Sequence, residues 1–165
     1  MNKIIGLLLF FLTITGNSQE TNAKLEISKV LDAWHKAAAE TDFDTYFSLM
    51  TKNGVFIGTD ATENWQNKAF REFSKPYFDS GRAWSFTSIE RNIYINEEEN
   101  FAWFDELLDT QMKICRGSGV LQKIDGNWKI AQYVLSITVP NENVDDLIHL
   151  KKEKDSILMQ KLKSN

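Results

Sequence analysis

Asp105, Glu106 and Arg116 fall inside residues 101–139, within the segments Ala102-Trp103-Phe104-Asp105-Glu106 and Arg116-Gly117-Ser118-Gly119-Val120-Leu121, which Trp128-Lys129-Ile130-Ala131-Gln132-Tyr133 follows. Charged groups among so many apolar side chains are paired, hydrated or in contact with a ligand, because a lone buried charge is costly. The stretch therefore reads as the floor of a pocket. Asp105 and Glu106 are neighbours, so on a strand they point to opposite faces and cannot act as a carboxylate pair. Ala102, Phe104, Glu106 and Leu108 share one face, and Phe101, Trp103, Asp105 and Leu107 share the other. Only one of the two carboxylates can line a cavity. The Arg116 guanidinium has the fork geometry to hold a ligand carboxylate, and the same geometry suits an internal salt bridge to Asp105 or Glu106, which is the expected use. Glu106 either faces the cavity or pairs with Arg91 or Arg116 across the sheet. Gly117 and Gly119 remove side chains from one face, making room for a ligand or a close-packed helix, or marking a bulge.

A second pair of carboxylates, Asp60 and Glu63, lies in Gly58-Thr59-Asp60-Ala61-Thr62-Glu63-Asn64, just ahead of a helix. There a carboxylate acts as a general base if an apolar mouth raises its pKa. In the alternative, it satisfies backbone N–H groups and the helix dipole. Trp34, Trp65, Trp103, Trp128 and Tyr133 fit either core or cavity wall. His35 sits off the main apolar stripe of its helix and is expected at the surface. His149 stands in a charged tail, far from any partner at metal-ligand spacing, so no metal site is expected. Glu97-Glu98-Glu99 reads as a solvated turn. The lone Cys115 has no internal disulfide partner and reads as a small buried hydrophobe. No phosphate loop, dinucleotide fingerprint or nucleophile elbow is present, and no cofactor is expected.

The elements that must position these groups follow from periodicity. Ile27, Val30, Leu31, Trp34 and Ala38 have the three-and-four spacing of a helix over residues 25–40. Asp42 is a suitable N-cap for a second short helix carrying Phe43, Tyr46, Phe47 and Met50, closed by Asn53-Gly54. After a brief strand at residues 55–57, Asn64 or Asn67 caps a third helix in which Phe70, Phe73 and Tyr77 share a face and Pro76 and Gly81 mark the end. From Trp84 the pattern turns aromatic and β-branched. Residues 84–95, 101–108, 113–124 and 127–139 read as strands, with Asp125-Gly126 a hairpin turn. Residues 144–163 form a charged helical tail with an imperfect apolar stripe.

The chain of 165 residues is 42% hydrophobic and 25% charged, the balance of one globular domain. Its formal charge of -4 supplies no excess of cations for a phosphate backbone, so no nucleic-acid partner is expected. Lys3, the apolar run from Ile4 to Ile14 and the small polar segment ending Ser18-Gln19 have the layout of a secretory signal peptide over residues 1–19. The apolar run is shorter than the roughly 20 residues a spanning helix needs. Cleavage near Ser18 or Gln19 would export the chain to the periplasm or the medium, with no membrane attachment afterwards.

In order and wording, several segments resemble the SnoaL-like branch of the nuclear transport factor 2-like superfamily: Ile57-Gly58-Thr59-Asp60 with Glu63 and Trp65, the Trp103 and Arg116 segments quoted above, and Gly126-Asn127-Trp128-Lys129-Ile130-Ala131 through Val139-Pro140-Asn141. The resemblance implies an α+β fold over residues 20–141, a curved and mainly antiparallel sheet wrapped around three N-terminal helices as a cone with an open cavity. Residues 142–165 are left as the helical tail. The superfamily includes ketosteroid isomerase, scytalone dehydratase, polyketide cyclases and a kinase association domain, and dimers packed through the sheet are common in it. Trp34 falls where the isomerase has a tyrosine, and its base carboxylate falls near Gly58, which leaves Asp60 for that role. Alignment to the association domain places Glu106 inward. Trp65 and Tyr133 become cavity liners, beside Trp34, Phe104 and Arg116.

Together these features predict an exported protein that binds a small hydrophobic or carboxylate-bearing molecule in an aromatic cavity and associates as a homodimer. An enzyme of the isomerase, dehydratase or cyclase type, with Asp60 as base and Glu106 or Tyr133 as partner, is the alternative. A third reading is a dimeric assembly module.

Overall fold

The computed structural model describes the backbone of residues 3–164 and the side chains of residues 20–164. Met1, Asn2 and the side chains of the leader read at residues 1–19 lie outside the described residues. The order of elements is α1 (Lys3–Ala39), α2 (Phe43–Ser48), β1 (Met50–Ile57), β2 (Asn64–Gln66), α3 (Asn67–Asp79), β3 (Thr87–Ile95), β4 (Phe101–Thr110), β5 (Lys113–Ile124), β6 (Asn127–Ile137) and α4 (Val144–Lys163). The strands form one curved, unclosed sheet in the order β2-β1-β6-β5-β4-β3. All neighbours are antiparallel except β1 and β6, which run parallel. This is the expected α+β cone, with α1, α2 and α3 on the concave side.

The turn from α1 to α2 is built by two residues. Thr41 adopts a left-handed φ of 56° while its N–H reaches the Ala38 carbonyl at 3.1 Å and the Asp42 N–H reaches Ala37 at 2.8 Å. That pattern closes a helix C-terminus in the Schellman manner. Asp42 then opens α2, its carboxylate accepting from the Thr45 N–H at 3.0 Å, the N-cap read from the sequence.

Three local expectations are corrected. Asn53-Gly54 does not end the helix pair but lies within β1, in the irregularity between the Met50 and Val55 registers on β6. Asn67 does not cap α3; Gln66 holds that position without a side-chain bond, and Asn67 turns inward to donate to the Thr51 carbonyl at 2.9 Å. The buried face of α3 is Asn67, Phe70, Ser74 and Phe78, so Phe73 and Tyr77 stand on its flank, 37% and 47% exposed. A helical period of 3.6 residues puts position 78 rather than 77 on the face of 67, 70 and 74.

The core gathers Ile27, Leu31, Trp34 and Ala38 of α1, Tyr46 and Phe47 of α2, Phe70 and Phe78 of α3, and Phe104, Leu108, Leu121, Ile130 and Tyr133 of the sheet. Each large side chain removed from water here contributes about 1.5–3 kcal/mol. The tail helix α4 buries no residue.

Candidate functional site

Behind the core aromatics lies a buried polar cluster assembled by four elements. Sheet register places Arg91 of β3 directly opposite Glu106 of β4, and Glu106 opposite Gly117 of β5. Glu106 is fully buried. Its Oε2 accepts from Arg91 Nε at 2.9 Å, with Nη2 at 2.8 Å. Its Oε1 accepts from the Tyr133 hydroxyl at 3.1 Å and lies 2.7 Å from His35 Nε2. Arg91 Nη1 extends the chain outward, donating to the Ser28 hydroxyl and the Asp32 carboxylate, each at 2.8 Å. Gly117 is required beneath this arrangement, since a Cβ there would overlap the Tyr133 hydroxyl.

Burial pushes the Glu106 carboxyl up, but the bond to His35 and the charge of Arg91 outweigh it and hold the group below its usual value of 4.5. Glu106 is therefore a carboxylate, and His35 Nε2 carries the proton it shares. Burial first, then the Glu106 charge, pushes the Tyr133 phenol well above its ordinary value, so it stays a donor.

A cavity of about 250 Å³ is lined by aromatic rings from β1, β2, α3 and the irregular run before β3, with Leu135 and Met112. Phe56 stacks on Phe70 at 4.3 Å, and Trp65 stacks on Phe73 at 4.7 Å, so two aromatic walls face the space. Glu63, Thr59 and Gln111 are its polar members. Phe86 and Phe56 stand between cavity and cluster: Phe86 meets the His35 ring at 6.0 Å, and Phe56 stacks on Tyr133 at 5.9 Å. A second groove of about 730 Å³, lined by both apolar and charged side chains, separates the loop at residues 57–64 from α4.

The predicted residues divide among these places. Trp65 lines the aromatic cavity. Trp34 and Phe104 are core, 1% and 3% exposed, and do not line it. Glu106 faces inward as the association-domain alignment implies, yet it and Tyr133 bond each other inside the wall. Asp60 lies on the groove, not the cavity, where its Oδ1 accepts from the Thr62 N–H at 2.9 Å and hydroxyl at 2.6 Å. Those two bonds lower its pKa, the wrong direction for a base raised by an apolar mouth.

Arg116 is the clearest correction. It stands exposed on the outer face opposite Leu107, and makes neither the expected salt bridge nor contact with the cavity. Strand alternation decides this: Gly117, not Arg116, is the cross-strand partner of Glu106. The ion pair belongs to Arg91. His35, expected at the surface, is 5% exposed. Its position four residues after Leu31 and three before Ala38 was the available signal. Among the described residues no group of His, Cys, Asp and Glu could hold a metal ion.

Solved structures of similar shape share the fold at low identity. The chain is similar to a nuclear transport factor 2-like protein of unknown function from Pseudomonas putida KT2440, with 14% identity, TM-score 0.62, and 74% of this chain and 92% of that chain covered. It is similar to the association domain of the C. elegans calmodulin-dependent kinase II, with 22% identity, TM-score 0.60, and coverage of 72% and 98%. A candidate dehydratase of the same superfamily from Streptomyces avermitilis gives 13% identity, TM-score 0.60, and coverage of 74% and 99%. No curated protein matches the chain in sequence. Residues 27–140 match the SnoaL-like domain family, and the chain belongs to that family.

Proposed function

We propose that this is an exported protein that binds a small hydrophobic molecule without transforming it. The observation that carries the reading is the aromatic cavity, more than half of whose lining residues are Phe, Trp or Tyr. Turnover has less support, because Glu106, His35 and Tyr133 already satisfy one another behind Phe56 and Phe86, and Asp60 is engaged with Thr62. A thermal-shift screen of small hydrophobic compounds tests the reading. A ligand at a hundred times its Kd adds about 2.7 kcal/mol of stability. Met112→Trp, which fills the cavity, should abolish the shift; a shift that survives it places the ligand elsewhere and overturns the proposal.

Export rests on the leader at residues 1–19. Amino-terminal sequencing of the secreted protein is expected to begin near Ser18 or Gln19, and an intact Met1 in the mature protein would refute it.

A homodimer packed through the outer sheet face is supported by Tyr94, Phe101 and Trp103, which lie 42–48% exposed there, and by the association domains among the similar structures. Light scattering is expected to give a dimer that Trp103→Glu dissociates; a monomeric wild type would end this reading.

A further inference from the structure

We infer that the ligand of the aromatic cavity is an organic cation, a protonated amine or quaternary ammonium on an apolar body, with Glu63 as its counter-charge. The inference rests on the cavity being a binding site and adds the charge of what it takes. Among the residues lining the cavity, Glu63 alone is a carboxylate, and none is Lys, Arg or His. A ligand carboxylate would meet no cation there and would be repelled by Glu63.

The carboxylate is held in place rather than free to swing away. Its Oε2 accepts from the Asp60 N–H at 3.2 Å, and the Glu63 backbone closes the loop through Gly58 N–H to its carbonyl at 3.0 Å. Gly58 leaves the room it occupies, since a Cβ there would overlap the carboxylate. Glu63 makes no ion pair among the described residues. Of the tail lysines across the groove, Lys151 pairs with Asp155 at 3.2 Å, and Lys154 acts on Asp60. Glu106, the other acidic group nearby, is neutralised by Arg91. Glu63 borders both the groove and the cavity, and on the cavity side it presents a negative charge to a space walled by Trp65, Phe73, Tyr77, Trp84 and Phe86. Aromatic faces are themselves electron-rich, so they attract a cation and are indifferent or unfavourable to an anion. Glu63 and the rings favour the same sign of charge.

Isothermal titration of the protein with phenethylamine, phenethyl alcohol and phenylacetate separates charge from shape. The amine is expected to bind about tenfold tighter than the alcohol, with phenylacetate weakest. Glu63→Gln, which keeps an oxygen to accept from Asp60, should bring the amine to the level of the alcohol and leave the alcohol unchanged. Met112→Trp should remove binding of both. Equal binding of amine and alcohol, or tighter binding of phenylacetate, overturns the cation inference and leaves the hydrophobic cavity standing. Binding of none of the three to the wild type overturns both. The three-compound series is read on the wild-type protein, so the test holds even if the Gln variant is unstable.

Discussion

His35 of α1 and Glu106 of β4, 71 positions apart in sequence, meet at 2.7 Å in the interior of the cone. With Arg91 and Tyr133 they fix one helix to three strands through a single carboxylate. A buried ion pair of this kind adds little over well-packed apolar residues, yet breaking it leaves an uncompensated charge.

Arg91→Ala is accordingly expected to cost about 3–5 kcal/mol. Adding Glu106→Leu should recover part of that loss, because the second change removes the stranded charge. Urea denaturation of the wild type, the two single variants and the double variant gives the coupling energy. Additive losses would mean that the two groups do not depend on each other.

Acid should weaken the fold through the same carboxylate. The folded pKa of Glu106 lies below its value of 4.5 in the unfolded chain. Its stabilisation is therefore complete above 4.5 and is lost as pH falls through the folded pKa. Melting temperatures across that interval should fall more steeply for the wild type than for Glu106→Gln. Parallel curves for the two proteins would contradict the assignment.

Gly117→Ala should destabilise by about 1–3 kcal/mol, because the new methyl group displaces the Tyr133 hydroxyl from Glu106. In a Tyr133→Phe background, where that oxygen is gone, the same substitution should cost less. Equal costs in both backgrounds, by chemical denaturation, would place the conflict elsewhere.

Thr41→Gly is expected to stabilise. Thr41 carries a left-handed φ of 56° at the end of α1, where a residue with a Cβ is strained by roughly 1–2 kcal/mol and glycine is not. Glycine's greater freedom in the unfolded chain returns about 0.4–1 kcal/mol of this. A net gain of about 0.5–1 kcal/mol should appear as a higher urea midpoint, and a lower midpoint would be the contrary result.

Removal of residues 144–165 should leave the stability of the domain within about 0.5 kcal/mol, because α4 buries none of its side chains. Thermal unfolding of the truncated and full chains compares them directly. Light scattering on the same pair decides whether the tail takes part in association, a role that identical masses would exclude.

Residue order alone determined the class of fold, the N-cap at Asp42, the hairpin at Asp125-Gly126, the tail helix over Val144–Lys163 and the opposed faces of Asp105 and Glu106. These depend on periodicity and on local hydrogen bonds that neighbouring residues complete. The aromatic character of the cavity was legible in composition, and Trp65 in its place along the chain. What only the tertiary structure decided was which charge meets which. Arg91 and Arg116 are equally plausible partners for Glu106 until register sets one opposite it and puts the other on the outer face. His35 joins the cluster because α1 packs against β3 and β6, a relation that no local pattern encodes. Glu63 borders both the aromatic cavity and the groove, while Asp60 borders the groove alone, because the loop folds over Gly58 and tucks the Glu63 carboxylate against it.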